Sequence, residues 1–429
     1  MAPLAYRVRP ARSGEEERFV TDETIDQARA AELRDKLADE LIAAGHIKSA
    51  QVEAAFRTVP RHAFVPADTP LEITYAADNA VVTKRDEHGI VISSVSAAYI
   101  QVAMIEQAEL RPGMSVLEIG SGGYNAALLA EVVGVDGQVV SVDIDPEMTD
   151  RATGLLEAAG YADRVTVITA DAQDQIPGHG PFDAIIVTVG AWDVSPAWLR
   201  QLAQPGRLVL PLRMKGVSRS IAFRRENDHL ASTSAVVCGF VPMQGAGEHV
   251  DREFRLPDPQ GHIVTLRFDD EAPDDPALLN GVLAGQRSEA WSGVTIEHGV
   301  SFADLHLWLA SFLPGFCKMA VDEGTELAQE RKTWLPFAVV RGDSFACLSV
   351  RPLPQGEGVE FGARAYGPHS EKPATAMVDQ IRAWDAQARR RPEPTFAYWP
   401  TGSSPAPVAE NVAVLRKTHG LVTISWPKD

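Results

Sequence analysis

The most distinctive pattern in the chain is a short apolar run, residues 115–119, that ends in glycines and leads into apolar positions at helical spacing. The glycines belong to the sequence GSGG, and the helical segment carries Ala126, Leu129, Ala130 and Val133. A second apolar run, QVVSVD, ends at Asp143, 23 residues beyond Gly120. An acid about 20 residues beyond a glycine turn, at the end of the next strand, is where Rossmann-like folds bind a ribose hydroxyl. The pattern therefore predicts a βαβ unit with a ligand site.

The glycine turn departs from the dinucleotide pattern GxGxxG, because Asn125 stands where the third glycine would be. This departure favours the Glu-x-Gly-x-Gly loop of methyltransferases, which falls on residues 118–122. Glycines let the backbone approach a ligand, and the helix that follows points its first N–H groups at it. A tight strand-to-helix connection without a ligand is the structural alternative.

Helical and strand-like patterns alternate on both sides of this unit, which predicts an α/β fold with a mostly parallel sheet. The predicted helices are residues 24–44, 49–59, 97–110, 148–159 and 195–203. The predicted strands are residues 115–119, 138–143, 164–169, 182–189, 205–212, 220–224, 234–238 and 240–242. Ligands of such sheets bind at the carboxyl ends of the strands, where Asp143 and Asp171 lie.

Two serines precede the helix predicted at residues 97–110. Ser96 is a good N-cap residue, so its hydroxyl is expected to accept a hydrogen bond from a helix N–H. The functional alternative is that Ser94 and Ser96 present their hydroxyls to a substrate carboxylate beside the helix N-terminus.

The composition changes from about residue 249, where an acidic and proline-rich passage begins. Beyond it, strands are predicted at residues 262–267, 336–341, 344–350, 358–365 and 421–426, and helices at residues 302–312 and 375–390. We therefore predict an N-terminal arm at residues 1–22, a catalytic α/β domain at residues 23–248 and a C-terminal α+β domain at residues 249–429. The tryptophans of the last domain are expected in its core, or else in a wall that admits a bulky substrate.

Composition and charge argue against several classes of function. A formal net charge of −18 argues against a nucleic-acid surface, and no apolar run approaches the about 18 residues of a membrane span. Three separated cysteines fit neither a disulfide framework nor a zinc site, which indicates a reducing, cytoplasmic setting. The chain lacks HExxH, GxSxG and Cys-x-x-Cys motifs, so neither a metal nor a covalent nucleophile is expected.

Five segments in the same order resemble the protein-L-isoaspartate O-methyltransferases: TVPRHAFVP, SVSAAYIQVAMIEQ, VLEIGSGGYNAALLA, FDAIIVTVGA and PGRLVLPL. The resemblance implies a class I, Rossmann-like fold that binds S-adenosylmethionine and releases S-adenosylhomocysteine. It places the substrate motif on Ser94, Val95 and Ser96, and the catalytic role on the two serines. The cofactor residues that it implies are Glu118, Gly120, Ser121, Gly122, Gly123, Asp143, Ile144, Asp171, Ala172 and Thr188.

Further segments, GSGGYNAALLAE, TVGAWD, RSIAFRR and CGFVPMQG, resemble the "FxLD system" methyltransferases of lanthipeptide gene clusters. This branch implies esterification of an aspartate in a modified, macrocyclised ribosomal peptide, followed by succinimide and isoaspartate formation. Trp192 is then a candidate substrate contact, with packing as its alternative. Two other functions stay open: a general isoaspartate repair methyltransferase, and a binding module that retains the fold without activity. The oligomeric state is not indicated.

Overall fold

The computed structural model describes residues 22–120, 122–354, 356–403 and 409–427. The chain divides into two compact units with the boundary between Thr169 and Ala170. Most of the predicted N-terminal arm, residues 1–21, lies outside the described residues, as does the candidate cofactor residue Ser121.

The first unit contains two antiparallel strands, three parallel strands and six helices among its described residues. In chain order these are α1 Asp22–Ala43, α2 Ala50–Thr58, α3 Leu71–Thr74, β1 Val81–Arg85, β2 Val91–Val95, α4 Ala98–Ala108, β3 Ser115–Ile119, α5 Tyr124–Val133, β4 Gln138–Asp143, α6 Pro146–Ala158 and β5 Val165–Thr169. The helices and strands predicted for this part of the chain are all present.

The parallel strands β3, β4 and β5 carry the predicted βαβ pattern. Val116 pairs with Val139 in the first ladder, and Val140 pairs with Thr166 in the second. Both β3 and β4 are almost continuously buried, as expected for parallel strands covered on both faces. Their bounds match the predicted ones because a mostly apolar run ends at Gly120 in one case and at Asp143 in the other.

The second unit begins with the continuation of the α/β pattern and ends in a mostly antiparallel region. Its elements are β6 Phe182–Val187, α7 Pro196–Gln201, β7 Leu202–Met214, β8 Val217–Glu226, β9 His229–Val237, β10 Arg252–Pro257, β11 Ile263–Phe268, β12 Ser288–Glu297, α8 Ala303–Phe312, β13 Phe316–Val321, α9 Glu326–Gln329, β14 Trp334–Arg341, β15 Ser344–Pro352, β16 Gly358–Tyr366, α10 Glu371–Gln387, β17 Thr395–Pro400, β18 Val412–Arg416 and β19 Gly420–Ser425.

Seven of these strands follow one another side by side in the order β6, β7, β8, β9, β17, β19, β18. Only β6 and β7 run parallel, and the other neighbours are antiparallel. The strand predicted at residues 240–242 is wrong: Pro242 forms only an isolated bridge with Gly190. The reason is that Val241 accepts a hydrogen bond from the Gly190 N–H, so this segment pairs with a loop and not with a strand.

The other seven strands form an antiparallel sheet in the order β10, β11, β13, β14, β15, β16, β12. Helix α10 packs on it and buries Trp384. Trp308, Trp334 and Trp426 are also buried, as predicted for core tryptophans, whereas Trp291 and Trp399 are half-buried. Residues 249–429 are nevertheless not one separate sheet, because β17 to β19 extend from the edge strand β9. An edge strand exposes unpaired backbone groups, and β17 satisfies those of β9.

The boundary of the compact units therefore does not coincide with the predicted division at residue 248. As a division of function, the arm, the catalytic domain and the C-terminal domain remain a prediction. Within the described residues, no helix has both the length and the hydropathy that a membrane-spanning helix needs.

Candidate functional site

The glycine loop between β3 and α5 has a backbone conformation that requires glycine. Gly120 has φ +100° and Gly123 has φ +83°, values that other residues rarely adopt. The Gly120 N–H donates to the Val142 carbonyl oxygen at 2.8 Å, which fixes the loop to the neighbouring strand. A Cβ on Gly122 would meet no atom within 4 Å, so the loop borders open space at that residue.

Helix α5 begins directly after this loop, with Gly123 as its N-cap and without a side-chain cap hydrogen bond. The first N–H groups of a helix have no partner within the helix. They attract a polar or anionic ligand group at the helix N-terminus. The loop and the start of α5 therefore form a cradle in which a ligand can be held by backbone groups alone.

Glu118, at the end of β3, is completely buried beneath this cradle. Its carboxylate accepts hydrogen bonds from the Asn125 side-chain amide at 2.9 Å and from the Ser141 hydroxyl. Burial raises the pKa of Glu118 to about 7, against the lowering effect of these two donors. The hydrogen bond to Glu118 thus gives Asn125 a structural role at the position where the GxGxxG pattern has its third glycine.

Arg61 was missed by sequence reasoning, although it lies in the proline-bounded segment PRHAFVP. Its guanidinium is fully buried and donates to the Ser96 carbonyl oxygen and to the Gln101 side-chain oxygen, both at 2.7 Å. The Gln101 side-chain amide in turn donates a hydrogen bond to the Asn125 side-chain oxygen at 3.5 Å. Burial lowers the pKa of Arg61. Tyr124, whose ring centroid lies 5.0 Å from the guanidinium carbon of Arg61, partly offsets this lowering. Arg61 therefore connects the serine segment with the residues under the glycine loop.

The two candidate serines lie on either side of Val95 at the end of β2. Val95 is 3% exposed, whereas Ser94 and Ser96 are half-buried. The expected N-cap role of Ser96 is wrong: Ala97 is the N-cap of α4, and no side chain caps this helix. The reason is that Ala97 is extended, with ψ 141°, so the helix starts at Ala98. The structure records no hydrogen bond from either serine hydroxyl to the described residues, which leaves both available to a ligand.

Asp143 and Ile144 follow the carboxyl end of β4. Asp143 is half-buried, and one carboxylate oxygen accepts from the Asp145 N–H at 2.9 Å. Ile144 is 38% exposed, so it presents apolar surface beside the strand end. An acid and an exposed apolar side chain at a strand end suit a ligand with a polar sugar and a flat base. Asp145 in turn pairs with Lys84 at 2.5 Å.

The remaining candidate cofactor residues, Asp171, Ala172 and Thr188, belong to the second unit. Asp171 accepts hydrogen bonds from the backbone N–H groups of Gln173 at 2.9 Å and Ala246 at 2.7 Å, and each oxygen can accept one more. The Ala172 carbonyl oxygen accepts from the Trp198 indole. Thr188 is half-buried just beyond β6. Their roles toward a cofactor stay predictions.

Trp192, the candidate substrate contact, follows β6 in residues 190–195. Its indole N–H donates to the Asp269 carbonyl oxygen at 3.0 Å, and its ring stacks on His249 with centroids 3.9 Å apart. The Lys417 ammonium lies 4.3 Å from the ring centroid. These contacts use much of the aromatic surface, so packing is an established role of Trp192 while substrate contact stays a prediction.

Comparison with known proteins places part of this chain in a family of enzymes. Residues 32–248 match the family described as protein-L-isoaspartate(D-aspartate) O-methyltransferase. The matched residues include the serines, the glycine loop, Asp143, Asp171 and Trp192, and the match ends before residues 249–429.

Individual relatives agree with this assignment. A protein-L-isoaspartate O-methyltransferase of Hyperthermus butylicus is 35% identical over 54% of this chain and 95% of its own length. One from Ignicoccus hospitalis is 38% identical over 42% of this chain and 82% of its own length. A solved protein-L-isoaspartate O-methyltransferase structure aligns with 85% of this chain and 96% of its own chain, at 22% identity and a TM-score of 0.48.

Proposed function

Because this chain belongs to the protein-L-isoaspartate O-methyltransferase family, we propose that it methylates the free α-carboxylate of isoaspartyl residues in proteins or peptides. The chain has the class I fold of S-adenosylmethionine-dependent methyltransferases, and it is a protein carboxyl O-methyltransferase that uses this cofactor. The observation that carries the proposal is the family match across residues 32–248, which contain all of the candidate site residues.

The residues of the first unit fit the cofactor. The N-terminus of α5 offers backbone N–H groups, Asp143 offers an acceptor for ribose hydroxyls, and Ile144 offers apolar surface to the base. When bound, S-adenosylmethionine supplies an electrophilic sulfonium methyl group and is released as S-adenosylhomocysteine. Asp171, Ala172 and Thr188 are also proposed as cofactor residues.

The proposed role of the serines is to position the acceptor. A carboxylate is already an anion at neutral pH, so it needs no general base to attack a methyl group. What the chain must do is bind the carboxylate in line with the methyl group and keep water away from it. The hydroxyls of Ser94 and Ser96 can each donate one hydrogen bond to a carboxylate oxygen. Arg61 holds the Ser96 carbonyl oxygen and so fixes the backbone that carries these hydroxyls.

A narrower hypothesis follows from the sequence motifs that resemble lanthipeptide-associated enzymes. In it the acceptor is an aspartate of a macrocyclised ribosomal peptide, and the methyl ester closes to a succinimide. The described relatives are isoaspartate methyltransferases, so the general isoaspartate function is better supported. The observation that favours the narrower hypothesis is the presence of residues 249–429 beyond the family match. The three free cysteines support a cytoplasmic setting for either function.

Mass spectrometry distinguishes the two acceptors. The enzyme and S-adenosylmethionine are incubated with an isoaspartyl peptide and, separately, with a cyclised aspartate-containing precursor peptide from the gene neighbourhood. We expect one methyl group to be added to the isoaspartyl peptide. Methylation of the precursor alone, followed by a net loss of one water from it, would establish the narrower hypothesis instead.

A further inference from the structure

The turn between β18 and β19, residues 417–420, reaches back to residues 190–195 in the loop after β6. The turn is closed by a hydrogen bond from the Lys417 N–H to the Gly420 carbonyl oxygen at 2.9 Å. The His419 N–H donates to one carboxylate oxygen of Asp193 at 2.6 Å. The buried Tyr398 hydroxyl donates to the other at 2.9 Å. Both oxygens of Asp193 are therefore held by residues about two hundred positions later in the chain.

Lys417 makes the second connection between this turn and the loop. Its side chain is buried, donates to the Arg213 carbonyl oxygen at 2.9 Å and places its ammonium 4.3 Å from the centroid of the Trp192 ring. His249 also restrains Trp192, because its ring stacks on the Trp192 ring at an interplanar angle of 2°. Trp192 and His249 also share the Asp269 carbonyl oxygen as hydrogen-bond partner. The loop is thus held at two adjacent residues, Trp192 and Asp193.

The loop lies where a ligand is expected. It follows the carboxyl end of β6, which runs parallel to β7, and parallel sheets bind ligands outside the carboxyl ends of their strands. The loop belongs to the part of the chain that matches the family, whereas Tyr398, Lys417 and His419 lie beyond that match. Residues beyond the family match thus hold a loop that lies within it.

We propose that residues 417–420 position the loop of residues 190–195 and thereby set the affinity of the enzyme for its peptide acceptor. Lys417 and His419 are positioning residues in this account, because they act through Trp192 and Asp193. The inference rests on the proposed methyltransferase function. It gives residues 395–425 a role in acceptor binding that a separate accessory domain would not have.

The proposal has a pH signature. Burial, with a smaller contribution from Arg213, lowers the pKa of Lys417 to about 8 against the opposing effects of Asp269, Asp270 and Asp193. The other titratable and charged groups of this region are His249 on the Trp192 ring, His419 in the turn, Asp251 beside Arg213, and the ion pair between Lys215 and Glu271. Below pH 8 the ammonium is charged and holds the Trp192 ring. Above pH 8 the contact weakens, and the KM for the acceptor should rise.

The test compares Lys417→Met, Lys417→Arg and the control Lys372→Met, which removes an exposed cation from α10. Initial rates are measured with an isoaspartyl peptide between pH 7 and 9, and the Kd of S-adenosylmethionine by titration calorimetry. For Lys417→Met at pH 7 we expect the acceptor KM to rise about tenfold, with the cofactor Kd unchanged. Lys417→Arg should restore the KM and remove its rise above pH 8, since a guanidinium stays charged. Lys372→Met should match the wild type.

An unchanged acceptor KM in folded Lys417→Met would overturn the proposal, and so would equal increases in acceptor KM and cofactor Kd. If Lys417→Met does not fold, Lys417→Arg provides the test. A rise in its acceptor KM above pH 8 would also overturn the proposal. Hydrogen exchange of residues 188–195 separates this inference from the enzyme function, because it needs no turnover. Faster exchange in Lys417→Met than in Lys372→Met supports the positioning role even if the wild type leaves isoaspartyl peptides unmodified. Equal exchange in the two variants refutes it.

Discussion

Replacing Glu118 by glutamine should change the way in which the stability of the glycine-loop region depends on pH. The Glu118 carboxyl is completely buried, and burial raises its pKa from 4.5 to about 7 in the folded protein. As the pH rises, the unfolded chain releases this proton before the folded chain does. The stabilising contribution is therefore fully present below pH 4.5 and is lost as the pH rises through about 7.

The size of the effect follows from the shift. One pKa unit corresponds to about 1.4 kcal/mol, so a carboxyl that titrates at about 7 in place of 4.5 lowers the free energy of unfolding by about 3 kcal/mol over that range. Glutamine does not titrate. Its amide can still accept a hydrogen bond from Asn125 and donate one to Ser141, so the packing is kept. The stability of the wild type relative to Glu118→Gln should therefore fall by about 3 kcal/mol from pH 4.5 to above pH 7.

The assay must report on the first unit. All eight tryptophans lie beyond residue 169, so indole fluorescence reports on the second unit. Hydrogen exchange of peptides that cover residues 115–143, together with urea unfolding followed by circular dichroism, measures the relevant free energy. Glu157→Gln removes an exposed carboxylate from α6 and serves as the control. If wild type and Glu118→Gln change in parallel with pH, the reasoning from burial is refuted.

Four further variants test the proposed site. Gly123→Ala should lower the free energy of unfolding by about 1–2 kcal/mol, because φ is +83° and the new Cβ would lie 3.1 Å from Phe64. Gly122→Ala, whose Cβ meets open space, should retain stability, and equal denaturation midpoints in the two variants would contradict this. Asp143→Ala should raise the Kd of S-adenosylmethionine about tenfold by calorimetry, and an unchanged Kd would remove Asp143 from the site. Ser94→Ala combined with Ser96→Ala should lower kcat/KM while sparing cofactor affinity; a turnover equal to the wild type would reject the serines.

The parallel core could be predicted from the sequence because its signals are local. The runs at residues 115–119 and 138–143 are mostly apolar, and they lead to a glycine and an acid, so the pattern alone places β3 and β4. The hairpin of β1 and β2 was not predicted. Its strands are mostly half-buried, and their apolar residues do not alternate regularly with polar ones as in a strand with one buried face.

The residues of the site that lie in the glycine turn or at strand ends could be predicted from the sequence. The contacts between residues far apart in the chain could not. Arg61 and Gln101 lie 40 positions apart and join under the glycine loop only through the fold. The contact of His419 with Asp193 spans 226 positions, and nothing in the local sequence of either segment indicates it. For the same reason the pairing of β17 with β9 was not predicted from the sequence.

The central claim is that this chain transfers a methyl group from S-adenosylmethionine to an isoaspartyl carboxylate. The most direct test uses two peptides of identical sequence, in which one aspartate is linked through either its α- or its β-carboxyl group. With S-adenosylmethionine labelled in the methyl group, we predict base-labile incorporation into the isoaspartyl peptide alone, and its loss in Asp143→Ala. Equal labelling of both peptides, or labelling of neither by a folded protein that binds the cofactor, would contradict the account.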